Sequence, residues 1–239
     1  MSEMYESSAI ARLVDEQWKK WLMLTQQKAA APLSPLFPVV TISRQRGSGG
    51  GVIGQQVADR LGFVLFDSEI VDHVARSAEL DRKIVMQLDE QSQRHIKEWT
   101  ERVTLRQQFS ARSYMVHLTK TILTAGEKGR AVIVGRGAHL LLPVNRCFRV
   151  RVIAPWETRV DRLAAWTHVS RAEAEKIVAE TDKQRTRFIR ENFNQSDEDP
   201  MLYDLVVNTG ELPLEAASDL IVRATRARFP QAQVAETPP

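Results

Sequence analysis

"SRQRGSGGGVIG", residues 43–54, puts glycine at four of the five positions from 47 to 51, between a short β-branched run and a helical pattern. Before it, "PVVTIS" (38–43) reads as a buried strand; after it, "IGQQVADRL" (53–61) carries Ile53, Val57 and Leu61 on one helical face. Glycines let backbone N–H groups close on a phosphate, and the helix that follows adds the positive end of its dipole. So many glycines are costly in chain entropy for a plain turn, so phosphate binding is expected of Ser43, Arg44, Gly47, Ser48, Gly49, Gly50 and Gly51. A loop of the GxxxxGK[ST] type also supplies a lysine and a hydroxyl. Counted back from the helix, those positions are Gly50 and Gly51, where both side chains are absent.

A dinucleotide fingerprint is the alternative. "GGGVIG" (49–54) matches GxGxxG, and Asp67 follows at about the 20-residue spacing of a ribose contact. Against it, "RQRGS" separates the strand from Gly49, and a longer loop wraps a phosphate rather than turning past it. Arg44 and Arg46 within that loop favour a more highly charged phosphate group.

The pattern continues outward as "GFVLFD" ending in Asp67, "RAVIVGRG", "CFRVRVIAP" and "YDLVVNT", strand candidates separated by helices at about 155–168, 170–192 and 214–229. Five strands alternating with helices predict an α/β fold with a central parallel sheet covered on both faces, and ligands at the carboxyl ends of its strands. Residues 1–37 form an N-terminal arm with a helical pattern through Ile10, Leu13, Val14, Trp18 or Trp21, and Leu22. The main domain is expected over 38–229, with a polar helical insertion at 81–128, and 230–239 trail as a tail.

Composition is that of an ordinary globular chain: 239 residues, 43% hydrophobic, 26% charged, net charge +3. The pI near 9.1 and local arginine clusters favour anionic ligands. The one cysteine, Cys147, lies in an apolar strand pattern and reads as a packed thiol. The N-terminus carries acids where a signal peptide has basic residues, and no stretch is long and apolar enough for a bilayer, so a soluble, cytoplasmic protein is expected. The five histidines show no metal-ligand spacing and no Ser-His-Asp arrangement is recognisable; nucleic-acid binding has no motif beyond charge. Trp156 and Trp166 are read as packing residues.

"VTISRQRGSGGGVIGQQVADRLGFVLFDSEIV", together with "AVIVGRGAHLLLP", "RVRVIAPWETRVDRLA" and "DKQRTRFIRENFNQSDEDPMLYDLVVNT", resembles the cytidylate kinase-like family, relatives of cytidylate kinase among the P-loop nucleoside monophosphate kinases. The resemblance implies a three-layer P-loop kinase fold, a helical acceptor-side insertion at 81–128 and an arginine-rich lid at 155–192. It also implies phosphoryl transfer from ATP, with Mg2+ carried on the substrate phosphates, to a small nucleotide acceptor, cytidylate first. Arg136 in "GRG" stands where cytidylate kinase has the arginine of a GRD motif that holds the acceptor phosphate, and Gly137 replaces its aspartate. Asp67 and Ser68 match the start of a DSG motif at the acceptor nucleoside, and Glu69 replaces its glycine.

Phosphoryl transfer needs positioning and neutralisation of charge. Without a loop lysine, arginine is expected to supply it, the candidates being Arg44 or Arg46 from the loop and Arg159, Arg162, Arg185 and Arg187 from the lid. Lys183, Arg187 and Arg190 share one helix face and read as a solvated stripe, with Arg185 pointing nearly the other way; the resemblance, which centres on the D-x-x-R spacing of Asp182 and Arg185, implies that these two face inward. Asp67 is the carboxylate expected to orient an acceptor or a hydrated Mg2+, or else an N-cap. A nucleotide-binding sensor that does not turn over, with the N-terminal helix serving a partner or a second copy, is the alternative of a different class.

Overall fold

The computed structural model describes residues 38–68, 71–72, 94, 97–98, 100–101 and 112–230. The N-terminal helical pattern, Glu69, His73, His95, most of the 81–128 insertion and the tail beyond Pro230 lie outside these residues. Five strands form one sheet: β1 (Val39–Arg44), β2 (Val64–Phe66), β3 (Ala131–Val134), β4 (Cys147–Ile153) and β5 (Leu205–Asn208). Their order is β2-β3-β1-β4-β5, and every pairing is parallel. The helices are α1 (Gly50–Leu61), α2 (Arg112–Lys128), α3 (Ala138–Leu141), α4 (Trp156–Thr167), α5 (Arg171–Phe193) and α6 (Leu214–Arg228). This is the three-layer α/β fold expected.

Side chains alternate across a strand, so each strand feeds both faces of the sheet. Val40 and Ile42 of β1, with Val132, Val134, Val150 and Val152, meet Ile53, Val57 and Leu61 of α1 and Ile221 of α6. Val39, Phe66, Ile133 and Cys147 meet Met115, Leu118 and Ile122 of α2 and Leu141 of α3 on the other face. Ile53, Val57 and Leu61 are at most 1% exposed, and burying each stabilises by about 1.5–3 kcal/mol. That apolar stripe is what holds α1, and with it the glycine loop, at the end of β1. Cys147 packs beside the Thr41 hydroxyl at 3.3 Å, and burial pushes its thiol up to about 12, so it is inert at neutral pH.

β1 lies at the centre, paired with β3 on one side and β4 on the other. The chain leaves β1 toward β2 and β3, then crosses to β4 and β5, so the carboxyl end of β1 is the switch point where a parallel sheet opens a crevice. Ser170 caps α5 by accepting the Glu173 amide, and α4 and α5 pack together through Val160, Leu163, Ala174 and Val178. This helical pair leans over the loop that follows β1.

Candidate functional site

The glycine loop runs from Gln45 to Gly49, the N-cap of α1, which has a left-handed backbone and no side-chain cap. The amides of Gly50, Gly51 and Val52 in the first turn of α1 have no intrahelical acceptor. Gly51 is exposed, and a Cβ there would meet nothing within 4 Å. An uncapped helix start facing open space suits a phosphate. The Ser48 hydroxyl is used within the loop, donating to the Gln45 carbonyl at 2.9 Å.

The arginines of α4 grip this loop by its backbone. Arg159 is 6% exposed and donates to the Ala154 carbonyl at 3.0 Å, the Arg46 carbonyl at 3.2 Å and Asp182 Oδ2 at 2.5 Å. Asp182 Oδ1 in turn accepts the Arg46 amide at 2.7 Å. Arg162 donates to the Gly47 carbonyl at 3.3 Å and the Thr209 carbonyl at 3.0 Å, while the Thr209 hydroxyl donates to the Ser48 carbonyl at 2.7 Å. Arg159, Arg162 and Asp182 thus touch the loop carbonyls and one loop amide, and none of the three lines the adjacent cavity. Arg46 enters these contacts through its backbone; its side-chain Nε is buried without a partner among the described residues.

That cavity, about 380 Å³, lies at the carboxyl ends of β1 and β4 between the GRG turn and α5. Four guanidinium groups line it: Arg44, Arg136, Arg151 and Arg185. Arg136 is neutralised by a two-pronged bridge to Asp72, whose Oδ1 also accepts the Tyr114 hydroxyl at 2.6 Å. Arg151 pairs with Asp197 at 2.9 Å and donates to Ser43 Oγ at 2.9 Å. Arg44 donates to Ser68 Oγ at 3.2 Å, and Arg185 donates to the Arg44 carbonyl at 3.1 Å while standing 3.9 Å from Asp182.

Burial, then the neighbouring cations Arg185 and Arg136, push Arg44 down to about 9 against the pull of Asp67. Burial, opposed by Asp182 and reinforced by Arg46, Arg136 and Arg151, pushes Arg185 down to about 10. Two half-buried cations short of counter-charge make a cavity that favours an anion. Asp67 sits at the end of β2, and its carbonyl accepts the Val71 amide. Lys183, Arg187 and Arg190 are exposed on α5, and Arg187 pairs with Glu191 at 2.7 Å. Trp156 and Trp166 are 39% and 48% exposed, each beneath an arginine of α4. Among the described residues no group of acidic, histidine or cysteine side chains is arranged to hold a metal ion, and no helix is long and apolar enough to cross a membrane.

Sequence reasoning passed over Arg151, Asp197, His139, Tyr203, Asp72 and Thr209. The signal for the first was present: two arginines alternating with valines in "CFRVRV" are out of place in a buried strand unless each has a partner. His139, 5% exposed, stacks on Tyr203 with ring centroids 5.0 Å apart. Burial, then Arg151 and Arg149, hold it down to about 4. Because the unfolded chain takes up that proton near the ordinary value of 6.5, stability is lost as pH falls from about 6.5 toward 4, at up to about 1.4 kcal/mol per pH unit. Thermal melts between pH 7 and pH 4.5 should show a shallower acid slope in His139→Phe than in the native protein. Identical slopes would remove His139 from the acid response.

A family model described as the cytidylate kinase-like family matches residues 39–211. An uncharacterized protein from Eubacterium ventriosum superposes with a TM-score of 0.57 at 19% identity, covering 80% of this chain and 99% of that one. A shikimate kinase from Bacteroides thetaiotaomicron superposes with a TM-score of 0.42 at 13% identity, covering 80% of this chain and 97% of that one. Among curated sequences, a uronate isomerase of Corynebacterium glutamicum is 31% identical over 112 residues, 47% of this chain. The matched part is 22% of that relative's length.

Proposed function

From the premise that the chain belongs to the cytidylate kinase-like family, we propose that it transfers a phosphoryl group from ATP to a small phosphorylated acceptor, cytidylate being the first to test. The observation that carries this is the pair of under-neutralised arginines, Arg44 and Arg185, in a cavity that opens beside an uncapped glycine loop.

The free amides of Gly50, Gly51 and Val52, with the α1 dipole, hold the donor phosphates. Arg159, Arg162 and Asp182 keep the loop in shape by its carbonyls and the Arg46 amide, so they are positioning residues. The acceptor lies in the cavity beyond Arg44 and Arg185, toward Ser68 and Arg136. One acceptor phosphate oxygen, already ionised, bonds to the γ-phosphorus as the bond to the β,γ-bridging oxygen breaks, and ADP leaves with that electron pair. No proton must be removed from a phosphate acceptor, which fits a site rich in arginine and poor in bases. Mg2+, carried on the donor phosphates, would supply further neutralisation. Asp67, beside Arg44, would orient its hydration shell, since α1 offers no hydroxyl at Gly51. A cytoplasmic location, where ATP and nucleoside monophosphates meet, is part of this proposal.

The missing lysine and hydroxyl favour a second reading, a nucleotide sensor with little turnover. Dinucleotide binding is disfavoured because its first glycine, Gly49, is already the N-cap of α1, beyond a separate loop from β1. ADP release from ATP and Mg2+ is measured with cytidylate, uridylate, deoxycytidylate and the purine monophosphates, and ATP binding is followed by calorimetry. Acceptor-dependent ADP is the expected result. Tight ATP binding without ADP would establish the sensor, and neither signal would overturn both.

A further inference from the structure

The first-turn position where a phosphate loop ordinarily carries its lysine is Gly50, and nothing in its backbone demands glycine. What excludes a side chain there is Arg44: a Cβ on Gly50 would lie 2.5 Å from the Arg44 Cβ and 2.9 Å from its Cγ. A Cβ on Gly135 would fall 1.9 Å from Arg44 Nη1. Two glycines, one at the start of α1 and one in the GRG turn, therefore clear a channel that a single arginine fills from β1. Its stem takes the space of the absent side chain, and its guanidinium enters the cavity beside Ser68 and Arg185.

We propose that Arg44 replaces the loop lysine and, with Arg185, forms a two-arginine clamp for the phosphoryl group that passes between the glycine loop and the cavity. The clamp leaves Arg136 and Arg151 to their carboxylates, Asp72 and Asp197. It rests on the phosphoryl-transfer reading for its role in turnover, but its anion binding is measured without turnover. A tetrahedral dianion matches the charge of two guanidinium groups, each able to present two donors to it.

Sulfate, whose charge is constant near neutral pH, is the probe, with binding to the full chain read from calorimetry and from the shift in Tm. The native protein should bind sulfate, and both Arg44→Met and Arg185→Met should weaken that binding at least tenfold. Without sulfate, Arg44→Met should melt no lower than the native protein, since it removes an under-neutralised, half-buried cation while keeping the channel filled. Gly50→Lys alone should destabilise the protein, whereas Gly50→Lys with Arg44→Ala should fold and regain part of the sulfate affinity.

Unchanged sulfate affinity in Arg44→Met, or a Gly50→Lys variant that melts like the native protein, would overturn the proposal. Arg44-dependent sulfate binding without ADP release for any acceptor would defeat the transfer reading and leave the clamp standing. Turnover indifferent to Arg44→Met would do the reverse.

Discussion

Gly47→Ala should lower stability by about 3 kcal/mol or more and abolish sulfate binding, while Gly51→Ala, four residues on, should be neutral or slightly stabilising. Gly47 has φ +81, a conformation that strains any L-residue by about 1–3 kcal/mol, and a Cβ there would lie 2.3 Å from the Arg159 carbonyl oxygen. Neither partner can give way cheaply. The clash is with backbone at the start of α4, which Arg159 itself ties to Asp182 and the Arg46 carbonyl. The loop would have to move off α4, and the contacts from Arg159 and Arg162 that shape it would go with it. Gly51 has open space around it and lies in the first turn of α1, where alanine gains up to about 0.5–1 kcal/mol over glycine. Urea unfolding and sulfate calorimetry of the two variants make the comparison. A Gly47→Ala protein with native stability and native sulfate affinity would mean that α4 does not press on the loop.

The second large effect is expected at Asp197. Its side chain is 6% exposed and that of Arg151 9%, and the two meet at 2.9 Å beneath the cavity. Asp197 also accepts the Thr186 hydroxyl at 3.1 Å. Removing one member of a buried pair leaves the other charged and without solvent, at a cost of about 3–5 kcal/mol. For a chain of this size, Asp197→Ala should lower Tm by about 10 °C. The double variant Arg151→Met with Asp197→Leu should recover most of that loss, because the unpaired charge rather than the lost attraction dominates. Glu191→Ala, which breaks the exposed pair with Arg187, should leave Tm unchanged. Circular-dichroism melts of the three variants decide it: an Asp197→Ala Tm within about 2 °C of native would show that Arg151 finds water or another partner.

The layout of the sheet was legible because parallel strands buried on both faces advertise themselves as apolar runs. "VVTIS", "AVIV" and "LVVN" all became strands, and the helical spacing of Ile53, Val57 and Leu61 located α1. The glycine loop was legible for a related reason, since only a backbone that must come close to something tolerates four glycines in five positions. Helical periodicity likewise set Arg185 apart from Lys183, Arg187 and Arg190, because a 3.6-residue period assigns faces without knowledge of the partner, and the D-x-x-R resemblance then named the inward face.

Periodicity could not tell which arginine lies in the cavity and which braces the loop. Arg159 and Arg162 sit one turn apart on α4 and carry the same chemistry as Arg44 and Arg185, yet their donors meet loop carbonyls while the other two face the cavity. That division depends on where α4 crosses the loop, a long-range packing outcome. The same holds for Arg151 with Asp197, 46 positions apart, and for Arg136 with Asp72, 64 apart. Local composition and spacing carried the strands, the loop and the helix faces, since each is governed by neighbours along the chain. The allotment of charge, with Arg136 and Arg151 paired to carboxylates and Arg44 and Arg185 facing the cavity, came only from the packing of α4 and α5 over the end of β1, because Coulomb interactions follow distance in space and not position in sequence.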